Sequence, residues 1–188
     1  MNQQSNNSFH LLTVCTGNIC RSPLAEALFQ DAYEADPDVY VSSAGLEALV
    51  GFPMDEQAAK QLVRLGGNPD DLFAEQFEDE HARSSNLILT MSLAQRQQIT
   101  RDFPRAALRT FTLAEFAEIA VAAVNESGSS LPLAGLLAYA RKHRGSHKVD
   151  SSKDVQDPFR QPDPVHEATA DHIHRLAQQI IHASSEAR

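Results

Sequence analysis

A cysteine and an arginine with five residues between them, and a hydroxyl just after the arginine, stand in the segment Val14-Cys15-Thr16-Gly17-Asn18-Ile19-Cys20-Arg21-Ser22-Pro23. The apolar run Phe9-His10-Leu11-Leu12-Thr13-Val14 precedes it, and the helical pattern Leu24-Ala25-Glu26-Ala27-Leu28-Phe29 follows. That context predicts a tight strand-to-helix turn. A helix N-terminus carries unpaired N–H groups and the positive end of a dipole, and together these bind anions. The chain from Thr16 through Gly17, Asn18, Ile19, Cys20 and Arg21 to Ser22 can curl so that successive N–H groups nest around three phosphate oxygens. Gly17 permits a positive φ or a close approach. Asn18 tolerates the left-handed region, and its side chain can hold the loop. The planar fork of Arg21 grips two oxygens at once.

The same field favours the thiolate of Cys15, a nucleophile for phosphorus. Ser22 can donate a hydrogen bond to that sulfur and assist its departure. In-line attack gives a cysteinyl-phosphate, with the equatorial charge stabilised by Arg21 and the N–H nest. Such chemistry also needs an acid for the leaving group. Asp157-Pro158 is the best candidate, because proline biases Asp157 toward an extended backbone and holds its carboxylate on a stiff loop. Phe159 next to it can form an apolar wall. Asp36-Pro37 and Asp163-Pro164 are competing pairs of the same type.

The elements that must position these groups alternate along the chain. Strands are expected over residues 9–14, 39–43, 86–90 and 107–111, and helices over 22–35, 55–65, 92–100, 112–124, 131–144 and 164–184. The last helix has the apolar stripe Ile173, Leu176, Ala177, Ile180 and Ile181. This order predicts an α/β fold: a single three-layer domain with a central four-stranded parallel sheet, helices on both faces and the phosphate-binding loop after the first strand. Residues 1–8 read as a disordered tail and 9–188 as the domain, with a helical insertion at about 113–156. Thr112 is a helix cap with Glu115 at the third helical position, and 145–156 are expected to be polar and mobile. The insertion reads as a surface embellishment, with a pocket cover or a partner contact as alternatives.

Composition narrows the function classes. The chain has 188 residues, is 42% hydrophobic and carries a net charge of −9, which disfavours nonspecific nucleic-acid binding. No apolar run reaches the length of a membrane helix, and residues 9–14 are too short for a signal-peptide core. A cytoplasmic location, where Cys15 stays reduced, is the expectation. His166, His172 and His174 do not share a zinc-type spacing and are expected to be surface or hydrogen-bonding residues. Neither a metal nor a cofactor is required.

Val14 to Pro23 with Ala25-Glu26-Ala27 resembles the active-site segment of the low-molecular-weight protein tyrosine phosphatases. In family order follow Ser42-Ser43-Ala44-Gly45, Gly51-x-Pro53-x-Asp55, Asn86 to Met91, and Asp157-Pro158-Phe159. The resemblance implies that Cys15 is the nucleophile, Arg21 the phosphate-binding arginine and Asp157 the general acid. It assigns loop support to Asn18, Ser22 and Ser43, and makes Cys20 the thiol that captures an oxidised Cys15 as a disulfide. The chain departs from the pattern at Phe159-Arg160, Leu46-Glu47-Ala48-Leu49, Glu75-Gln76 and Ser92, all expected near the rim, where Leu49 and Phe159 would sit.

The implied substrate is a phosphotyrosine-containing protein or a small aryl phosphate, acted on by a monomer or weak dimer. Related arginine phosphatases usually carry threonine where Ile19 stands, and an apolar residue there favours a flat phenyl phosphate. Arsenate reductases of the same fold relay electrons through later cysteines, whereas Cys15 and Cys20 are the two cysteines of this chain. A non-catalytic phosphate- or phosphopeptide-binding module is the reading from another class.

Overall fold

The computed structural model describes residues 8–145 and 150–184. The tail expected over 1–8 lies, apart from Ser8, outside the described residues. Four strands, β1 (Phe9–Cys15), β2 (Val39–Gly45), β3 (Leu87–Thr90) and β4 (Thr110–Thr112), form one sheet in the order β2-β1-β3-β4. All three pairings are parallel. β1 is central and sits where the strand order reverses, so its carboxyl end opens into the crevice in which such sheets bind ligands. Cys15, at that end, pairs with Gly45 of β2.

Alternation along the strands divides the core into two layers, because successive side chains leave a strand on opposite faces. Leu11, Leu87 and Leu89 join one cluster with Leu24, Phe29, Phe116, Ile173 and Ile180. Leu12, Val14 and Ile88 join another with Phe77, Ala82, Ile99 and Ala106. The first layer holds α1 (Arg21–Tyr33), α5 (Leu113–Ser127), α6 (Leu133–Lys142) and α7 (Asp163–Ser184), with α2 (Glu56–Arg64) against α1 and α7. The second holds α3 (Asp79–Ser84) and α4 (Leu93–Asp102). Helices therefore cover both faces of the sheet. The stripe on α7 packs as expected, with Ile173, Leu176, Ala177 and Ile180 buried and Ile181 partly so.

Local chemistry explains several boundaries. The Asp55 side chain accepts from the N–H groups of Gln57 and Ala58, which starts α2. Thr112 and Glu115 cap α5 reciprocally, and Gly128, with φ at 74°, ends it. The expected strand 107–111 is corrected: Pro104–Arg109 is a 3₁₀ helix and β4 starts at Thr110. Pro104 presets φ for that turn, and Leu108 in it is exposed.

α3, absent from the sequence expectations, is six residues long, too short to show an apolar period. Residues 150–156 are tied to the fold rather than hanging free as a polar run. Val155 is buried, its N–H donates to the Met91 carbonyl at 2.8 Å, and the Asp154 carboxylate accepts from Leu93 N–H at 2.9 Å. Ser146 to Val149, from the same expectation, lie outside the described residues.

Candidate active site

Between the end of β1 and the start of α1 the chain folds back under Cys15. Cys20 occupies the helix N-cap position and Arg21 the first helical position. The positive φ of the loop belongs to Asn18, at 55°, and not to Gly17. A Cβ on Gly17 would meet only Ile19 Cγ1, at an ordinary 3.7 Å, so neither expected reason for that glycine holds against the protein itself. The crowded glycine is Gly45 on β2. A Cβ there would stand 2.6 Å from the Thr16 carbonyl oxygen and 2.9 Å from Asn18 Cβ.

Buried hydrogen bonds hold the loop from beneath. Asn18 Nδ2 donates to Ser22 Oγ at 2.9 Å and to Ser43 Oγ at 2.7 Å, while Asn18 Oδ1 accepts from Glu75 N–H at 2.7 Å. Three of its four hydrogen-bonding positions are thus filled, which offsets its left-handed backbone. Ser43 Oγ in turn donates to Glu26 Oε2 at 2.6 Å. Burial pushes the Glu26 carboxyl up to about 6, against the opposing hydrogen bond from Ser43. Thr13 Oγ1 donates to the Ser22 carbonyl at 2.9 Å, which ties the strand to the helix start. Gln95 Nε2 donates to Thr16 Oγ1 at 3.1 Å, and Gln95 Oε1 accepts from Met91 and Ser92 N–H. Glu26 and Gln95 were missed as supports in the sequence: Glu26 meets Ser43 of β2 and Gln95 meets Thr16 from α4, and no local pattern announces either partner.

Cys15 Sγ lies 3.0 Å from Ser22 Oγ and accepts from Asn18 N–H at 3.3 Å. Its neighbour Cys20 is also buried and unbonded, and desolvation, followed by the nearby Asp55, pushes that thiol upward so that it stays protonated. The two cysteines therefore occupy one loop in different environments. Arg21, only 6% exposed, points Nη2 at Asp157 Oδ2, 2.8 Å away, and Nη1 at the Val155 carbonyl, 3.3 Å away. Its Nε is buried without a hydrogen-bond partner.

Residues 15–21 line a cavity of about 190 Å³ whose walls are completed by Glu47, Leu49, Asp157 and Phe159. Each loop residue singled out in the sequence except Ser22 lines it; Ser22 is fully buried behind Cys15. Ser43 is one step further back, against Asn18. Asp157 is on an exposed loop, where its Oδ1 accepts from Phe159 N–H at 3.3 Å. Glu47, in a segment expected near the rim, is brought to the wall by the bond from its N–H to the Thr16 carbonyl. Among the described residues of 113–156, none lines this cavity.

His166 corrects an expectation. It is buried in the first turn of α7, with neither ring nitrogen hydrogen-bonded and Asp55 Oδ1 3.9 Å from Nδ1. Among the described residues, no group of three or more His, Cys, Asp or Glu is placed to hold a metal ion. No described helix is long and apolar enough to cross a membrane.

Comparison with known proteins agrees with this geometry. Residues 10–126 match the family model described as low molecular weight phosphotyrosine protein phosphatase. Over 104 residues the chain is 36% identical to a low molecular weight protein-tyrosine-phosphatase of Acinetobacter johnsonii, covering 55% of this chain and 71% of that one. Over 108 residues it is 35% identical to a protein-arginine-phosphatase of Geobacillus stearothermophilus, covering 57% and 71%. The crystal structure of a low molecular weight protein tyrosine phosphatase from T. tengcongensis superposes with a TM-score of 0.70 at 27% identity, covering 93% of this chain and 98% of that one. A thiol cradled at the end of β1, the parallel four-stranded sheet around it and these matches place the chain in the low molecular weight phosphotyrosine protein phosphatase family.

Proposed function

We propose that the protein hydrolyses phosphotyrosine monoesters in two steps through a cysteinyl-phosphate, and that Cys15, Arg21 and Asp157 carry the reaction. The observation that carries this reading is the convergence of the Cys15 sulfur, the Arg21 guanidinium and the Asp157 carboxylate on a single cavity. The phosphate oxygens occupy the N–H nest of Thr16 to Ser22 and take the donors of Arg21, including its unpaired Nε. As Arg21 turns to the phosphate, Asp157 is released to hold the leaving-group proton. Cys15 attacks phosphorus; the S–P bond forms as the P–O bond to the phenol breaks, and Asp157 passes its proton to that oxygen. Water then attacks the cysteinyl-phosphate, Asp157 takes its proton, and the S–P bond breaks to release inorganic phosphate and the Cys15 thiolate. Ser22, 3.0 Å from the sulfur, stabilises it in both states.

Leu49 and Phe159 support the aryl preference, since both put apolar surface on the cavity wall beside Ile19. One feature favours arginine phosphatase activity as a second reading: Glu47 on the wall can pair with a guanidinium, and the Geobacillus relative bears that name. The protein is assigned to the cytoplasm, as a monomer or weak dimer, with the helical insertion at about 113–156 as an addition to the domain. A substrate panel decides the chemistry. Para-nitrophenyl phosphate and phosphotyrosine should be turned over, with phosphoarginine and arsenate far slower. Faster release of phosphate from phosphoarginine reverses the assignment, and binding of aryl phosphate with no turnover leaves only a binding module. Peroxide should inactivate the enzyme reversibly through a Cys15–Cys20 disulfide. Mass spectrometry that finds overoxidised Cys15 and never the bridge contradicts that role.

A further inference from the structure

Beside the cavity the chain makes a short exposed ribbon. Gly51 N–H donates to the Ala74 carbonyl and Ala74 N–H to the Phe52 carbonyl, both at 2.9 Å, and Pro53 pairs antiparallel with Phe73. The ribbon is held close to the phosphate loop at both ends: Leu49 N–H donates to the Gly17 carbonyl, and Glu75 N–H to Asn18 Oδ1. Its apolar side chains are nonetheless in solvent, with Val50 64%, Phe52 62% and Phe73 55% exposed. Leu49, which walls the cavity, is 41% exposed and directly precedes Val50 in the chain. Single exposed apolar residues are ordinary, but four in one short stretch at a ligand cavity mark a contact surface.

The charged residues along it are acidic, and His81 Nε2 lies 3.9 Å from Glu75 Oε2. Leu72 and Ala74 turn inward, while Asp71, Phe73 and Glu75 are exposed, so the outward face reads acid, aromatic, acid. Glu47 adds a carboxylate at the cavity wall. Arg160, whose guanidinium lies over the Phe159 ring, is the cation of the opposite lip.

We propose that this ribbon is the docking strip for the polypeptide that bears the phosphorylated residue, and that it selects apolar residues and lysine or arginine beside that residue. The inference rests on the phosphatase reading and extends it. The apolar strip supplies contact area, and the carboxylates favour a basic flank and repel an acidic one.

The test uses the full chain, para-nitrophenyl phosphate and two phosphotyrosyl peptides of equal length, one flanked by leucine and lysine, the other by aspartate and glutamate. The wild type should favour the first peptide in kcat/KM by about tenfold at low salt, and the preference should shrink in high salt. The double variant Phe52→Ser, Phe73→Ser should lose about tenfold on that peptide and keep the wild-type rate on para-nitrophenyl phosphate. Equal use of both peptides by the wild type overturns the proposal. So does a double variant that keeps the peptide rate, or that loses both substrates equally. A wild-type dimer that the double variant dissociates in sedimentation, with peptide kinetics unchanged, assigns the strip to a second copy instead. Failure of the wild type on para-nitrophenyl phosphate refutes the phosphatase reading itself, a result separate from lost peptide selectivity.

Discussion

The phosphate loop and the rim around it are built on opposite terms. In the loop Cys15, Asn18, Cys20, Arg21 and Ser22 are all buried, and Asn18 alone ties three separate segments together. At the rim Glu47, Leu49, Asp157 and Phe159 are exposed and make few bonds of their own. A buried loop braced by Asn18, Ser22 and Ser43 has one geometry, which suits attack at a fixed distance on a group that is always phosphate. An exposed rim can change residue by residue without unfolding anything. On the proposed mechanism, the contrast puts reaction type and substrate choice in different parts of the same cavity.

The hardest way to break the contrast is to remove the sulfur. Cys15→Ser should lower turnover of any aryl phosphate by about 10⁴-fold or more while phosphate still protects the loop from proteolysis. Asp157→Asn comes next, with an expected loss in kcat of about 10²–10⁴-fold on phenyl phosphate. The loss should be much smaller on para-nitrophenyl phosphate, whose leaving group departs without a proton, and equal losses on both would deny Asp157 the acid role.

Asn18→Ala sharpens the comparison from the structural side. It removes three buried hydrogen bonds and puts alanine at φ 55°, so it should cost about 3 kcal/mol of stability in urea denaturation, along with activity. A comparable truncation at the rim, Leu49→Ala, should leave stability unchanged.

The smallest effect is a pH dependence. A carboxyl raised from 4.5 to about 6 binds its proton more tightly folded than unfolded. Its contribution to stability is therefore complete below pH 4.5 and lost as pH rises through 6. It amounts to about 2 kcal/mol. Glu26→Gln should remove that slope, so the variant gains on the wild type between pH 4 and 7. Parallel stability curves for the two proteins would mean that Glu26 is not buried in this way.

The same division explains what could be read from the sequence. The loop was legible because its chemistry is local: cysteine, arginine and serine within eight positions, with a strand before and a helix after. Asp157 was legible as a stiff carboxylate, but its choice over two other Asp-Pro pairs needed the family order, since its contact with Arg21 spans the whole fold. Gly45 was quoted only as part of a resembling stretch, because the Thr16 carbonyl that forbids a side chain there arrives from another strand end. The fourth strand was misplaced because Ala106, Ala107 and Leu108 have strand-like apolarity and yet follow a proline that starts a 3₁₀ turn. His166 was misjudged because a histidine in a polar helix start reads as exposed, and only the packing of α7 on α2 buries it.

The contact between Arg21 and Asp157 sets a charge pair of the protein's own on the cavity wall. Any incoming anion must therefore outcompete a tethered carboxylate that is always present. On the proposed mechanism a phosphate dianion that fills the loop amides displaces that carboxylate, and Asp157 returns to Arg21 as inorganic phosphate leaves.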